Sequence, residues 1–336
     1  MCAQTEPAGT YTAGMKRRDF LIASSGMMAT AALASQGLAK APERIDAAWY
    51  RRSRRFAQLP MSRVAYVERG RGPAAMFIHG YPLNGYQWRG ALERLHTHRR
   101  CIAPDLMGMG FTQTPEKQAI SSGTQVTMLA ALLDALRIDA VDLVANDSGG
   151  IVAQLFVAKY PERVRTLLLT NCDVDENSPP PLLLPLIELA KKGTMVDEVF
   201  VPQLKDKQFA RSAQGIGGQA YSYPERLKDE TVDIYLGPLA ETPLKKAQNN
   251  QYVVSMETNL LVAIREDLRR WKGPARMVWG LKDVLFGVKW AEWLDRTLPG
   301  SRGVRRIEEA NLFFPEEMPE LIAEEAAQLW SIHSQH

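Results

Sequence analysis

The run at residues 141–154, VDLVANDSGGIVAQ, holds the side chains of this protein best placed to do chemistry. A β-rich stretch ends at Asn146-Asp147, small residues follow at once, and a helix is expected to open at Gly150 or Ile151. Such a strand-to-helix elbow lifts one side chain out of a sheet, and small flanking residues make the sharp turn sterically possible. Ala145 and Gly149 flank Asp147 symmetrically, and Gly150 lets the helix approach. A carboxylate at the apex can attack a saturated carbon bearing a halide or an epoxide oxygen; water must then cleave the resulting ester, and that step needs a base. Two other readings stay open. A serine nucleophile at Ser148 would put Asn146 where a small residue is wanted, and Asp147 can instead be an N-cap, a place aspartate fills well.

Further runs keep order with this one. FIHGYPLNGYQW contains His79-Gly80-Tyr81-Pro82, APDLMGMGFT spans residues 103–112, and VWGLKDVLFG sets Asp283 just after a predicted strand. Asp173 follows LLLTNC. From residue 62 to residue 330 the chain resembles the α/β-hydrolase fold superfamily. With aspartate at the apex, the resemblance is to haloalkane dehalogenases, fluoroacetate dehalogenases and soluble epoxide hydrolases. It implies Asp147 as nucleophile and the N–H groups of Tyr81 and Ser148 as an oxyanion site, with His79, Gly80, Gly149 and Gly150 shaping the loops around it. It also implies Asp283 as the acid that orients a histidine, Asp173 being an alternative acid position. Asp283 also has a plainer reading as a turn residue, and the acid role is preferred.

The same resemblance predicts a histidine in a pattern Gly-His-Phe-x-x-Glu-Glu, which falls without a gap on residues 311–317, NLFFPEE, so Leu312 stands where the base is expected. Of the five histidines, His79 belongs to the oxyanion loop, His96 and His98 sit near the amino edge of the sheet, and His333 and His336 lie in the tail. None is expected to reach Asp147. Three readings follow. Glu309, Glu316, Glu317 or a residue of the inserted lobe activates water in the histidine's stead; Asp147 acts as a general acid or base without forming an ester; or the site binds an apolar ligand without chemistry. Glu316 and Glu317 also read simply as acids in the first turn of a Pro-initiated helix. Dehalogenases resemble one another in a Trp after the nucleophile and often an Asn in the oxyanion loop to hold halide, and here these positions are Ser148 and Tyr81. Epoxide hydrolases use tyrosines of the lid, and the lobe offers Tyr221, Tyr223, Tyr235 and Tyr252.

The elements that must position these residues read as an α/β fold: a mostly parallel twisted sheet flanked by helices, with an inserted helical lid. Strands are predicted at SRVAYVERG, AAMFIHG, RRCIAPDL, AVDLVAND, RTLLLTNCD, ARMVWGLKD and SRGVRRIEE, with helices at VTMLAALLDALR, GIVAQLFVAKY, VKWAEWLDRTL and MPELIAEEAAQLWSIH. Residues 45–174 and 272–336 are assigned to the core. Residues 175–271, opened by SPPPLLLPL, form the lid over the carboxyl edge of the sheet, where such folds bind ligands. Residues 1–39 carry Lys16-Arg17-Arg18 before a short apolar run, which resembles a twin-arginine export signal cleaved after Ala34 or Ala39, with Met15 a possible true start. Export implies a periplasmic or secreted protein with no stable membrane span. The chain has 336 residues and a formal charge of +3, with no basic run interleaved with aromatics, which argues against nucleic acid. Cys101 and Cys172 are expected at opposite ends of the sheet, as free thiols. No P-loop, dinucleotide fingerprint or metal-spaced His or Cys cluster appears, so no cofactor or metal is expected and the partner is a small apolar organic molecule. Oligomeric state is not legible.

Overall fold

The sheet begins with a strand that periodicity did not announce, β1 (Arg55–Gln58), four residues with a single buried position. The seven predicted strands follow: β2 (Arg63–Arg69), β3 (Ala74–Ile78), β4 (Arg100–Pro104), β5 (Val141–Asp147), β6 (Val164–Cys172), β7 (Ala275–Gly280) and β8 (Ser301–Ile307). This computed structural model describes residues 44–333, so the expected export signal, Met15 and His336 lie outside the described residues. The strand order is β1-β2-β4-β3-β5-β6-β7-β8. β1 and β2 run antiparallel to their neighbours and the rest pair in parallel.

The central strands are apolar because helices cover both faces. All of β3 and β5 is buried, and β6 is buried at all but one residue. Helices at Ser122–Ala135, Ser148–Lys159, Lys289–Thr297 and Pro319–His333 form on the predicted runs. The helix after β5 starts two or three residues earlier than expected, directly at Ser148, so no linker separates Asp147 from the helix.

Between β6 and β7 the described chain is helical, with its first helical turn at Pro181–Leu183 and its last helix at Arg265–Arg270. Parallel strands send their carboxyl ends to one edge. β5 ends at Asp147 itself, and the loops after β3, β6, β7 and β8 carry, in turn, Tyr81, Asp173, Asp283 and Leu312, so residues far apart in sequence share that edge. Cys101 and Cys172 are buried and free, as expected. Among the described residues no helix is long and apolar enough to cross a membrane.

Candidate active site

Asp147 ends β5 with φ 54° and ψ −134°, a backbone that strains any residue bearing a Cβ by about 1–3 kcal/mol. An ordinary N-cap is extended and accepts from the second or third N–H of its helix. Asp147 does neither: its Oδ1 accepts from the first, Ser148 N–H, at 2.6 Å. The Tyr81 N–H donates to the same carboxylate. Both N–H groups expected to hold developing negative charge therefore rest on the side chain of Asp147.

The glycines around it are set by close approach. A Cβ on Gly80 would lie 2.5 Å from the Cβ of Asp147, and one on Gly150 would lie 2.3 Å from the Cβ of Cys172. One on Gly149 would come within 2.6 Å of the His79 and Ile78 carbonyl oxygens. His79 is wholly buried. Its Nε2 accepts from Leu106 N–H at 3.0 Å and its Nδ1 lies 2.9 Å from Gly80 O, so the ring fastens the loop after β3 to the turn after β4. Burial lowers its pKa, keeping it neutral and occupied. In that turn Asp105 accepts from Tyr50 Oη and from the N–H groups of Gly85 and Phe111.

Three carboxyl groups crowd the edge. Asp147 is 8% exposed and Asp173 4%. Burial pushes the Asp147 carboxyl well above the usual carboxylate range, Asp173 and then Asp283 adding to this, while the Ser148 and Tyr81 N–H groups pull it back. Asp173 is pushed up to about 7, chiefly by burial, against the lowering effect of the Ser178 hydroxyl. Asp283 is also raised by burial, and offset by hydrogen bonds from Leu285 N–H, Asn171 and Phe286 N–H.

Asp147 pairs with Cys172 in the β5–β6 register, which sets Asp173 beside it at the head of the next strand. Asp147 and Asp173 line one cavity, with Tyr81, Ser148 and Leu312. Asp283 is not among its lining residues; its Oδ2 accepts from Asn171 Nδ2 at 2.8 Å and its Oδ1 from Leu285 N–H at 2.8 Å. Of the two acid positions, the one expected to be the alternative is the one at the cavity.

The cavity has a volume of about 210 Å³, small against the 300–1,000 Å³ common for ligand pockets, and most of its wall is apolar. Leu182, at the start of the helical stretch, lines it and is 63% exposed, which marks the mouth. Leu312 is buried in the wall with Phe313. Its carbonyl accepts from Asn146 Nδ2 at 3.0 Å, and the same amide reaches Thr170 Oγ1 and Asn171 O while its oxygen accepts from Gln87 Nε2.

The glutamates proposed as substitute bases lie elsewhere. Glu316 accepts from Arg89, Tyr221 Oη and Tyr235 Oη, at 2.7, 2.8 and 2.8 Å. Glu317 accepts from the N–H groups of Ser222 and Tyr223, both at 2.8 Å, and Glu309 from Tyr223 Oη at 3.1 Å. Glu316 and Glu317 border a separate groove that contains neither Asp147 nor Asp173. Three of the four lid tyrosines are thus bound to glutamates; the fourth, Tyr252, is buried with its ring 5.9 Å from that of Tyr81. His96 and His98 lie between the helix at Arg89–Leu95 and β4, at the opposite edge of the sheet. Among the described residues no group of carboxylates, histidines and cysteines is arranged to hold a metal ion.

A family model for the alpha/beta hydrolase fold matches residues 73–316. A cis-3-alkyl-4-alkyloxetan-2-one decarboxylase of Shewanella oneidensis is 26% identical over 263 residues, which cover 71% of this chain and 77% of that one. A haloalkane dehalogenase of Mesorhizobium japonicum is 40% identical over 111 residues, 32% of this chain and 36% of that protein. The solved structure of the epoxide hydrolase CorEH shares the fold with a TM-score of 0.69 at 19% identity, over 83% of this chain and 98% of its own.

Proposed function

The chain belongs to the α/β-hydrolase family, and from that premise we propose that it hydrolyses a small apolar molecule through an ester on Asp147, as a dehalogenase or epoxide hydrolase would. The observation that carries this reading is the strained backbone of Asp147, which holds a carboxylate in the wall of an apolar cavity. An N-cap needs no such strain. In the reaction the carboxylate attacks carbon, and the tetrahedral oxyanion formed during ester cleavage takes over the N–H groups of Tyr81 and Ser148 that now rest on Asp147. Asp283 is the supporting acid, held at the head of β6 by the side-chain amide of Asn171.

Leu312 favours a second reading, a non-hydrolytic protein built on the same site. A leucine cannot move a proton, and a reaction that consumes no water does not need one moved from water. Loss of CO₂ from a four-membered lactone, the reaction named for the Shewanella relative, is of that kind. Binding an apolar ligand without chemistry is its limiting case.

Intact-protein mass spectrometry after incubation with haloalkanes, epoxides and activated esters separates the two, with Asp147→Asn as control. An adduct or a hydrolysed product that requires Asp147 supports the ester reading. Silence across the panel, with ligands still raising thermal stability, supports the second.

A further inference from the structure

Opening an epoxide and then cleaving the ester needs a group that can give a proton and take one back. The glutamates after β8 are engaged at another groove, the side chain at position 312 is aliphatic, and Asp283 is held away from the cavity wall. Asp173 is the other carboxyl group that lines the cavity with Asp147, and the β5–β6 register fixes it beside the nucleophile. It is the residue directly after β6, with its backbone carbonyl accepting from Gln154 Nε2 at 2.8 Å, so the helix behind Asp147 also anchors it.

We propose that Asp173 is a catalytic acid and base of this site, protonating the leaving oxygen of an epoxide and later deprotonating the water that cleaves the Asp147 ester. The proposal rests on the nucleophile reading above. In the first step the Asp147 carboxylate bonds to an epoxide carbon, the carbon–oxygen bond breaks, and the freed oxygen takes the proton of Asp173. In the second, water adds to the ester carbonyl and its proton goes to the Asp173 carboxylate. The tetrahedral intermediate then expels the alkoxide, which takes that proton and leaves as a diol. Asp147 is left as a carboxylic acid and passes its proton to Asp173, restoring the starting state. Epoxide and water give diol, with no other reactant.

An acid at this place suits a leaving oxygen, which must be protonated, and does nothing for a halide. The groups that bear on Asp173 are Asp147 from β5, Asp283 from the loop after β7, Cys172 beside it, the Ser178 hydroxyl and, from the lid, Tyr252. Burial, with a smaller push from Asp283 and against the hydrogen bond of the Ser178 hydroxyl, brings its carboxyl to about 7, where both protonation states are populated near neutrality.

The test uses styrene oxide and butyl bromide on the full chain, with rapid quench and intact mass to follow ester formation and ester breakdown separately. In the wild type, ester formation from styrene oxide is expected to fall as pH rises through about 7, whereas ester breakdown rises over the same range. Ester formation from butyl bromide, which needs no acid, is expected to lack the falling limb. In Asp173→Asn, butyl bromide should leave a persistent ester with breakdown slowed by about 10²-fold or more, and styrene oxide should label Asp147 slowly. If Asp173→Asn breaks the ester down within about twofold of wild type, or the two steps show the same pH limb, the role of Asp173 is overturned and the nucleophile stands. No product and no ester in the wild type with either probe overturns both. The wild-type pH profiles decide the matter even where the variant fails to fold.

Discussion

The side-chain amide of Asn146 donates to the carbonyl of Leu312 across 3.0 Å, joining the residue before the proposed nucleophile to the loop where a histidine was expected. The backbone there is held in register whatever side chain it bears. Leu312→His should therefore place an imidazole in the cavity wall. Ester breakdown should speed up by about 10²-fold, the low end for general acid–base catalysis because Asp283 is already engaged by Asn171 and Leu285 N–H. Single-turnover decay of the ester measures it.

The approach of the Ser148–Lys159 helix to β6 allows no methyl group at its second glycine. Gly150→Ala forces a contact of 2.3 Å on the Cβ of Cys172 and should cost about 1–3 kcal/mol of stability. Pairing it with Cys172→Ala removes the sulfur but not the Cβ, so only partial recovery is expected. Urea midpoints of the two single variants and the double variant give the coupling directly.

Glu316 lies at the centre of a pin between the core and the lid, taking bonds from Arg89, Tyr221 and Tyr235. Glu316→Gln leaves a largely buried guanidinium without its counter-charge and should cost roughly 3 kcal/mol, the low end for such a break because Arg89 keeps some exposure. Ester breakdown per folded molecule should stay unchanged. A loss of breakdown at full folding would make Glu316 the base instead.

The buried carboxyls also mark stability against pH. Asp173 is raised in the folded state to about 7, from about 3.9 in an unfolded chain. The protonated form is thus the one the fold favours: its contribution is complete below about pH 4 and is lost as pH rises through about 7. Glu325, lowered by hydrogen bonds and charge from Arg276 and Arg305, works the other way and loses its contribution as pH falls through its depressed folded pKa. Asp173→Asn removes only the first trend. The wild type should lose stability relative to this variant between about pH 4 and 7, read as a growing difference in denaturant midpoint.

Much of the fold was legible because parallel strands buried on both faces leave unbroken apolar runs, as in AAMFI and VRTLLLTNC. β1 was not, since an exposed four-residue strand has no period to read. At the site, the elbow was legible from its small residues, but which of Asp173 and Asp283 lines the cavity depends on the β5–β6 register and on the amide of Asn171, both products of tertiary pairing. Glu316 and Glu317 looked available as bases in sequence; their partners, Arg89, Tyr221, Tyr235 and the Ser222 and Tyr223 N–H groups, come from segments about 80 to 230 positions away.

Glycine would occupy the left-handed conformation at position 147 at lower energy than aspartate, and it would empty the carboxyl cluster of one member. Asp147→Gly is therefore expected to make the protein more stable by about 1–3 kcal/mol, with melting temperature as the measure. A chain that carries aspartate there stays on the uphill side of an easy exchange, and the force that holds it uphill has to be something other than folding.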